Sequence, residues 1–413
     1  MINFQKFTLD NGLRVIVHQD KSTPLVAVNS LYDVGARDEN PAQTGFAHLF
    51  EHLMFGGSVN IPDFDNELQR VGGENNAFTS NDITNYYITL PKNNLETAFW
   101  LESDRMLSLA FSEKSLEVQR NVVIEEFKQS YLNKPYGDVW LLLKPLAYKV
   151  HPYLWSTIGK ELSHIENATM ADVRAFFKKH YCPNNAILVV AGDVEVEQIK
   201  TLTEKWFGSI PKGEEYKRNL PIEPPQKAPR TQTVERDVPY DNIYKAYHIC
   251  ARTDKEFYAT DLLSEVLSHG NSAPLYIELV KNKKLFTDIG AYLSGDIDKG
   301  LFVISGKLVK GVSMEQAEQG IQDEINKIKK EKVAENILTK AKNQMEATLE
   351  FSEMSVLNKA MNLANAELLG DAALINKETE NYLKVTTEEI YEQANIIFNE
   401  NNCSTLYYLA KKN

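Results

Sequence analysis

The sequence predicts a chain of two domains, each of which mixes strands with helices. First, 413 residues are too many for one ordinary hydrophobic core, and two domains of about 200 residues are the usual arrangement. Second, strand-like and helix-like segments follow one another along the first half of the chain. Third, a weak internal repeat relates the two halves. A mixed fold that is built twice is therefore expected.

The chain opens with a predicted hairpin. Residues 7–9 and 13–17 flank Asn11-Gly12, a dipeptide typical of a type I′ turn. Further strands are predicted where β-branched and aromatic residues are frequent, at residues 25–28, 77–79 and 84–89. Helices are predicted where the apolar pattern fits a helical period, at residues 45–57, 62–71 and 113–131. A glycine pair closes the first of these segments, a second pair follows the helix at 62–71, and both are expected to end their helices.

The predicted domain boundary is a proline-rich segment, residues 211–239. It contains six prolines together with many charged and few aliphatic residues. This composition is typical of an extended, semi-rigid linker. The chain is thereby divided into a first domain, residues 1–210, and a second domain, residues 240–413.

The internal repeat predicts that only the first half carries a site. A shift of the first half by 214 positions (48 to 262) places the segment His48–His52 on the segment Leu262–Val266, and Gly56 on Gly270. Apolar residues thus replace both histidines in the second half, so we expect one histidine site per chain.

Composition excludes several classes of protein. The net charge of −12 and the pI of about 5.3 argue against a nucleic-acid-binding protein, which needs a basic face. Three widely spaced cysteines form neither a disulfide framework nor a C-x-x-C site. No apolar run is long enough to span a bilayer, and no signal peptide is recognisable. We expect a cytoplasmic location for the sequence as it stands, and a periplasmic one if a leader has been removed.

The pattern His48-Leu-Phe-Glu51-His52 predicts a metal site on a helix. Residues four apart lie on one helical face, so the two imidazoles can bind one tetrahedral ion. Glu51 falls near the same face and can take a proton from a metal-bound water. The alternative is an amphipathic helix with two hydrogen-bonded structural histidines. An apolar setting and the glycine pair favour the metal site, and H-x-x-E-H is the inverted zinc motif.

A catalytic zinc site needs a third protein ligand. The predicted helix at residues 113–131 offers two neighbouring carboxylates beside an apolar run, Glu125 and Glu126. Glu126 is the first choice for the third ligand, and Glu125 is the alternative.

The motifs closely resemble those of the pitrilysin/insulysin family of zinc metallopeptidases, and its mitochondrial-processing-peptidase-like branch (the catalytic-type subunit) in particular. The resemblance is strongest at Val34–Glu39 and Gly45–Gly57, and continues at Gly72–Thr79 and Arg120–Glu126. It implies that Glu126 is the third zinc ligand, with one Zn²⁺ per chain, and that Glu125 and Gln119 lie in the second shell. Gln119 departs from the glutamate that the family often has there.

The resemblance also implies a fold and a way of binding substrate. The fold would be α+β, with two homologous domains that each consist of a mostly antiparallel sheet with helices packed on one face, as in one half of a clam-shell. The strand Asn76-Ala77-Phe78-Thr79 would lie at a sheet edge and pair with the backbone of a peptide substrate. An ordinary capped edge strand is the alternative for this segment.

A second departure concerns the second domain. Active partner domains of the family carry an Arg and a Tyr, seven residues apart, that hold the substrate carbonyl. Val280 and Thr287 occupy those positions here, and Tyr276 and Tyr292 lie out of register. The resemblance therefore implies that a homologous second subunit supplies the Arg/Tyr pair, and a heterodimer is expected.

Together these features predict a zinc-dependent endopeptidase that hydrolyses peptides or unfolded segments inside a closed chamber, with Glu51 activating the zinc-bound water. Two alternatives remain at this level. One is a protease of narrow specificity that processes leaders or presequences. The other is a non-catalytic subunit that holds substrate or supports an assembly.

Overall fold

The structure, a computed structural model, describes residues 1–411. It contains two sheets with helices packed against each, which confirms the α+β class. The strands in chain order are β1 (Gln5–Thr8), β2 (Arg14–Gln19), β3 (Leu25–Tyr32), β4 (Glu74–Thr79), β5 (Thr84–Pro91), β6 (Ala186–Gly192), β7 (Arg230–Arg236), β8 (Asn242–His248), β9 (Phe286–Leu293), β10 (Leu301–Leu308) and β11 (Cys403–Ala410).

The helices in chain order are α1 (Phe46–Leu53), α2 (Phe64–Arg70), α3 (Leu95–Leu107), α4 (Glu113–Glu126), α5 (Val139–Ala147), α6 (Leu162–Glu166), α7 (Met170–His180), α8 (Val196–Phe207), α9 (Phe257–Ser268), α10 (Met314–Lys330), α11 (Glu335–Ser352), α12 (Val356–Leu368), α13 (Glu378–Lys384) and α14 (Thr387–Ile397). Helix α4 continues into a π-helical segment, Phe127–Leu132. Among the described residues, no helix combines the length and the apolar character needed to cross a membrane.

The chain forms two compact units, each of which is discontinuous in sequence. The first contains Met1–Ser130, Trp155–Pro221 and Glu350–Lys377, and the second contains Tyr131–Leu154, Ile222–Leu349 and the chain from Glu378 onward.

The first unit contains a six-stranded sheet in the order β1-β2-β6-β3-β5-β4. Only the pair β2 and β6 is parallel. Helices α3 and α8 pack on one face of this sheet. Helix α12 covers the other face, where Leu363 and Ala364 pack against Leu31 and Ile187. Both faces are therefore covered, whereas the resemblance implied helices on one face only.

The second unit repeats this topology. Its sheet has the order β7-β11-β8-β10-β9, and only β7 and β11 are parallel. Strand for strand, this matches the order β2-β6-β3-β5-β4 of the first unit. Helices α9, α10 and α14 line one face of the sheet. Helix α5 covers the other face through Leu143 and Ala147, which pack against Val303 and Leu406.

The two units therefore exchange one helix each, and this differs from the predicted contiguous division at residue 211. Helix α5 lies in the first half of the sequence but belongs to the second unit, and α12 shows the converse. The physical reason is that the second face of each sheet is apolar and is buried by the exchanged helix. Residues 211–229 contain no helix or strand, but β7 occupies part of the range predicted as linker.

Locally, most predicted elements are present, and one turn differs. The helices predicted at 45–57, 62–71 and 113–131 correspond to α1, α2 and α4. The first hairpin is also present, but its turn is not type I′, because Gly12 has a φ of +91° and Asn11 does not have a positive φ. The Asn11 side chain instead donates to the carbonyl groups of Phe207 (2.8 Å) and Ile210 (3.0 Å), which anchors a three-residue loop.

Candidate metal centre

Helix α1 presents two imidazoles on one face. His48 and His52 are one turn apart, and their Nε2 atoms lie 3.3 Å from each other. The helix ends at Leu53, and the chain then turns away at Gly57, whose φ is +95°. A side chain at Gly57 would place its Cβ 2.8 Å from the carbonyl oxygen of Pro62. A glycine is therefore required where the chain leaves the helix.

Helix α4 brings a carboxylate to the same point. Glu126 Oε2 lies 3.6 Å from Nε2 of His48 and 3.5 Å from Nε2 of His52. The three donor atoms thus form a nearly equilateral triangle. In a tetrahedral zinc site with bonds of about 2.0–2.1 Å, neighbouring ligand atoms are about 3.3–3.4 Å apart. The triangle fits a zinc ion with little adjustment, and it leaves a fourth position open.

The electrostatics of these residues suit a metal. Burial lowers the pKa of His48, so its imidazole is neutral near pH 7 and keeps a lone pair for a metal. The hydrogen bond with His52 lowers the pKa of Glu126, so this carboxylate is ionised. Two imidazoles and one carboxylate are a ligand set that catalytic zinc sites use.

Glu51 lies beside the triangle and contacts a strand. Its Oε2 accepts a hydrogen bond of 2.6 Å from the hydroxyl of Thr79, the last residue of β4. Burial raises the pKa of Glu51, and the Thr79 hydrogen bond opposes that rise. The sequence placed Thr79 among the substrate-binding residues but gave no sign of this contact with Glu51.

Strand β4 is an edge strand, because it pairs only with β5. Ala77 and Thr79 are half-buried on the side of α1, whereas Asn76 and Phe78 are exposed. The N–H of Ala77 donates to Oδ1 of Asn76 at 2.8 Å, so it is not used in the ladder with β5. The free edge of the sheet therefore runs past Glu51, where a peptide could add a strand.

The two residues predicted for the second shell occupy different positions. Gln119 is half-buried and lies seven residues before Glu126, on the same face of α4. Glu125 is not brought to the cluster, because neighbouring helix residues point about 100° apart. Its side chain is exposed and lies 2.8 Å from Nζ of Lys128.

The second unit lacks a corresponding site among its described residues. Leu262 and Val266 replace the histidines and are buried in its core. Val280 packs against the same core. The hydroxyl of Thr287 donates to the carbonyl of Lys307 at 3.2 Å. Neither residue can support a substrate oxyanion as an Arg/Tyr pair would.

Comparison with known proteins identifies the family. Residues 14–141 match the description Insulinase (Peptidase family M16), and residues 167–345 match the description Peptidase M16 inactive domain. The chain is 31% identical over 409 residues to the zinc protease PqqE of Helicobacter pylori, a match that covers 98% of this chain and 92% of that protein. The chain belongs to peptidase family M16.

Two further similarities support this membership. The solved structure of a protease from Helicobacter pylori matches this M16 chain with a TM-score of 0.93 and 30% identity, over 99% of this chain and 100% of that one. The mitochondrial-processing peptidase subunit beta of Saccharomyces cerevisiae is 26% identical over 370 residues, which is 83% of this chain and 77% of that protein. The relatives from Helicobacter pylori and Bacillus subtilis are named zinc proteases, and the site described above lies in the segment that matches Insulinase.

Proposed function

We propose that this M16 chain is the catalytic subunit of a zinc-dependent endopeptidase that acts on peptides or unfolded segments. The observation that carries the proposal is the triangle of donor atoms from His48, His52 and Glu126, with separations of 3.3–3.6 Å. Glu51 lies next to it on the same helix. A purely structural histidine pair would not require an ionised carboxylate at tetrahedral spacing with a second carboxylate beside it.

Zinc bound by these residues would lower the pKa of a water and polarise the substrate carbonyl. The chain's own contribution is the movement of a proton. Glu51 is positioned to accept a proton at Oε2 and to return it to the leaving amine, and the Thr79 hydroxyl orients that oxygen. The raised pKa of Glu51 moves it towards the neutral range, which suits a group that takes up and then releases a proton.

Substrate would bind as an additional strand along β4. Pairing with main-chain groups of Asn76–Thr79 would hold an extended peptide beside Glu51 with little demand on its side chains. The Asn76 side chain would have to release the N–H of Ala77 first, because the two are hydrogen-bonded. This arrangement favours unfolded segments, since most backbone groups of a folded protein are already hydrogen-bonded within its own structure.

The same reasoning supports a heterodimer in the mitochondrial-processing-peptidase-like branch of the family. Val280 is packed into an apolar core and Thr287 is committed to a backbone carbonyl. A homodimer would therefore hold two zinc sites and no Arg/Tyr pair. We propose that a homologous subunit supplies those two side chains in a shared chamber.

Zinc content and peptidase activity of the purified chain test the proposal. We expect about one zinc per chain and cleavage of an unstructured peptide only after the homologous subunit is added. Glu126→Gln should lose zinc and activity, and Glu51→Gln should keep zinc and lose activity. Glu125→Gln is the matched control, because this neighbouring carboxylate faces Lys128. Full activity of the chain alone would contradict the heterodimer, and absence of zinc would contradict the enzyme.

A further inference from the structure

Helix α1 carries the proposed base and two proposed ligands, yet it cannot cap itself. It has eight residues, and it begins after Gly45, which has no side chain to accept from the first-turn amides. A larger residue is excluded there, because φ is +89° and a Cβ would lie 2.6 Å from Cδ1 of Ile165 and 2.8 Å from the Ile158 carbonyl oxygen. The first-turn N–H groups therefore need an acceptor from elsewhere.

Glu39 supplies that acceptor from outside the helix. Its Oε2 accepts from the N–H of Gly45 at 2.9 Å, and its Oε1 accepts from the N–H of Ala47 at 2.8 Å. The side chain is only 6% exposed. Burial raises the pKa of Glu39 to about 8, although the two amide hydrogen bonds oppose the rise. The contacts themselves fit the carboxylate, because each oxygen accepts an amide proton and only the ionised form leaves both oxygens as acceptors alone. An anion at a helix N-terminus is also favoured by the helix dipole.

The loop that carries Glu39 is itself held in place. The indole of Trp155 donates to the carbonyl of Ala36 at 2.9 Å. The guanidinium of Arg218 lies 2.7 Å from Oδ1 of Asp38, which also accepts from the N–H of Gly35 through Oδ2. Glu39 therefore lies on a loop that side-chain contacts hold in place, and these contacts fix the position of its carboxylate at the start of α1.

We propose that Glu39 is a positioning residue for the metal centre. Ala47, whose N–H donates a hydrogen bond to Glu39, immediately precedes His48 in the helix. The hydrogen bonds from Gly45 and Ala47 therefore fix the rotation and the axial position of the helical turn that carries His48. Within the second unit, Glu256 at the N-cap of the equivalent helix α9 makes no capping hydrogen bond, and the described residues of that helix include no proposed ligand. The buried cap is thus associated with the helix that holds the ligands. The inference rests on the proposed function, because it assigns a role at the same site.

The test compares Glu39→Gln with the wild-type chain, each with cobalt(II) in place of zinc. Gln has the same shape, but its amide nitrogen cannot accept one of the two N–H groups. We expect an altered visible absorption of bound cobalt, and zinc affinity weakened about 10-fold, the lower end of the range for outer-shell partners of metal ligands. With the homologous subunit added, kcat should fall while KM stays unchanged.

Asp63→Ala is the matched control. Asp63 caps α2 by accepting from the N–H of Asn66 at 2.9 Å, and α2 carries no proposed ligand. This variant should lose stability but keep the wild-type cobalt spectrum. If Glu39→Gln does not fold, Glu39→Asp provides the same comparison with the charge retained. A wild-type spectrum, affinity and kcat in the Glu39 variant would overturn the positioning role alone, whereas a wild-type chain without metal would overturn the proposed function as well.

Discussion

Thr79 links the proposed general base to the strand that would bind substrate. Its hydroxyl is 2.6 Å from Glu51, and its backbone lies on the free edge of β4. A hydrogen bond to a charged group contributes about 1.5–3 kcal/mol. Removing it would let the carboxylate rotate away from the reacting water, so the effect belongs to kcat rather than to metal binding.

We therefore expect Thr79→Val to lower kcat about 10-fold or more, which is the factor that 1.4 kcal/mol represents, with zinc content unchanged. Steady-state kinetics on an unstructured peptide, together with metal analysis, would check this. Thr79→Ser keeps the hydroxyl and should keep most of the activity. If the valine variant retains wild-type kcat, the contact has no role in orienting Glu51.

His180 makes the first unit sensitive to acid. Its side chain is buried, and both ring nitrogens lack hydrogen-bond partners among the described residues. Burial lowers its pKa to about 3, below the ordinary value of 6.5. Between these values the unfolded chain binds a proton that the folded chain does not. Stability is therefore lost as pH falls from about 6.5 towards 3, at up to about 1.4 kcal/mol per pH unit.

We expect the free energy of unfolding of the His180→Phe variant to fall less steeply with decreasing pH than that of the wild-type chain. Phenylalanine keeps an aromatic ring next to Phe176 and Tyr216, which contact His180 at centroid distances of 4.7 and 4.9 Å. Urea unfolding between pH 4 and pH 7 would measure the difference. An unchanged slope in the His180→Phe variant would show that His180 does not control the loss of stability in acid.

At single positions, the sequence predicted which residues belong to the site better than it predicted where their side chains point. Spacing indicated His48 and His52 as a pair, but it left Glu125 and Glu126 as alternatives until the family resemblance was considered. The structure separates them, because one faces the triangle and the other faces Lys128. The role of Glu39 was not foreseen either. The available signal was the lack of a capping residue before α1, at Gly45.

At the scale of elements, the exchanged helices determine what the sheets can bury. Leu363 of α12 is fully buried and packs in the same apolar cluster as Ile16 and Val189 of the first sheet. Truncating a buried leucine removes its transfer free energy and leaves a cavity. The contribution of α12 to the first unit can therefore be measured at this one position.

We expect Leu363→Ala to lower the free energy of unfolding of the first unit by about 2–5 kcal/mol, as measured by urea denaturation. Leu107 of α3, in the same unit, is the matched control, because it is 46% exposed. Leu107→Ala should cost well under half as much. Equal losses from the two variants would show that α12 contributes no more than a surface helix does.

Elements were predictable where local chemistry decides them. Residues Phe46–Leu53, Phe64–Arg70 and Thr84–Pro91 form the predicted helices and strand. The first turn was predicted as type I′, and this was wrong because a tertiary contact overrides the local preference. Asn11 is buried and donates to the carbonyl groups of Phe207, the last residue of α8, and of Ile210 just after it. No local pattern reports such a partner almost 200 residues away.

At the scale of the whole molecule, the repeat was visible in the sequence and the exchange was not. The shift of 214 residues placed His48 on Leu262, and α1 and α9 occupy matching places in the two sheet topologies. Helices α5 and α12 carry ordinary apolar faces, and an apolar face does not specify which sheet it will cover. Chain order alone therefore assigned each of them to the wrong half.

The exchange makes a prediction about fragments cut at residue 221. Residues 1–221 lack α12, so the face of the first sheet that includes Ile16, Leu31 and Ile187 would be exposed. Residues 222–413 lack α5, which leaves Val303 and Leu406 uncovered. Exposed apolar surface of this kind promotes aggregation. Each fragment expressed alone should therefore be insoluble or only partly folded.

Expressed together, the two fragments should assemble into a soluble complex, because each carries the helix that completes the other's sheet. Size-exclusion chromatography and zinc content of the co-expressed pair would measure this. A fusion of residues 350–377 to the first fragment, joined by a flexible linker, isolates the effect of α12. It should restore zinc binding without the second fragment, although the apolar face of α5 remains uncovered. A monomeric, zinc-binding fragment 1–221 would contradict the exchange, since it would show that the first sheet folds with one face uncovered.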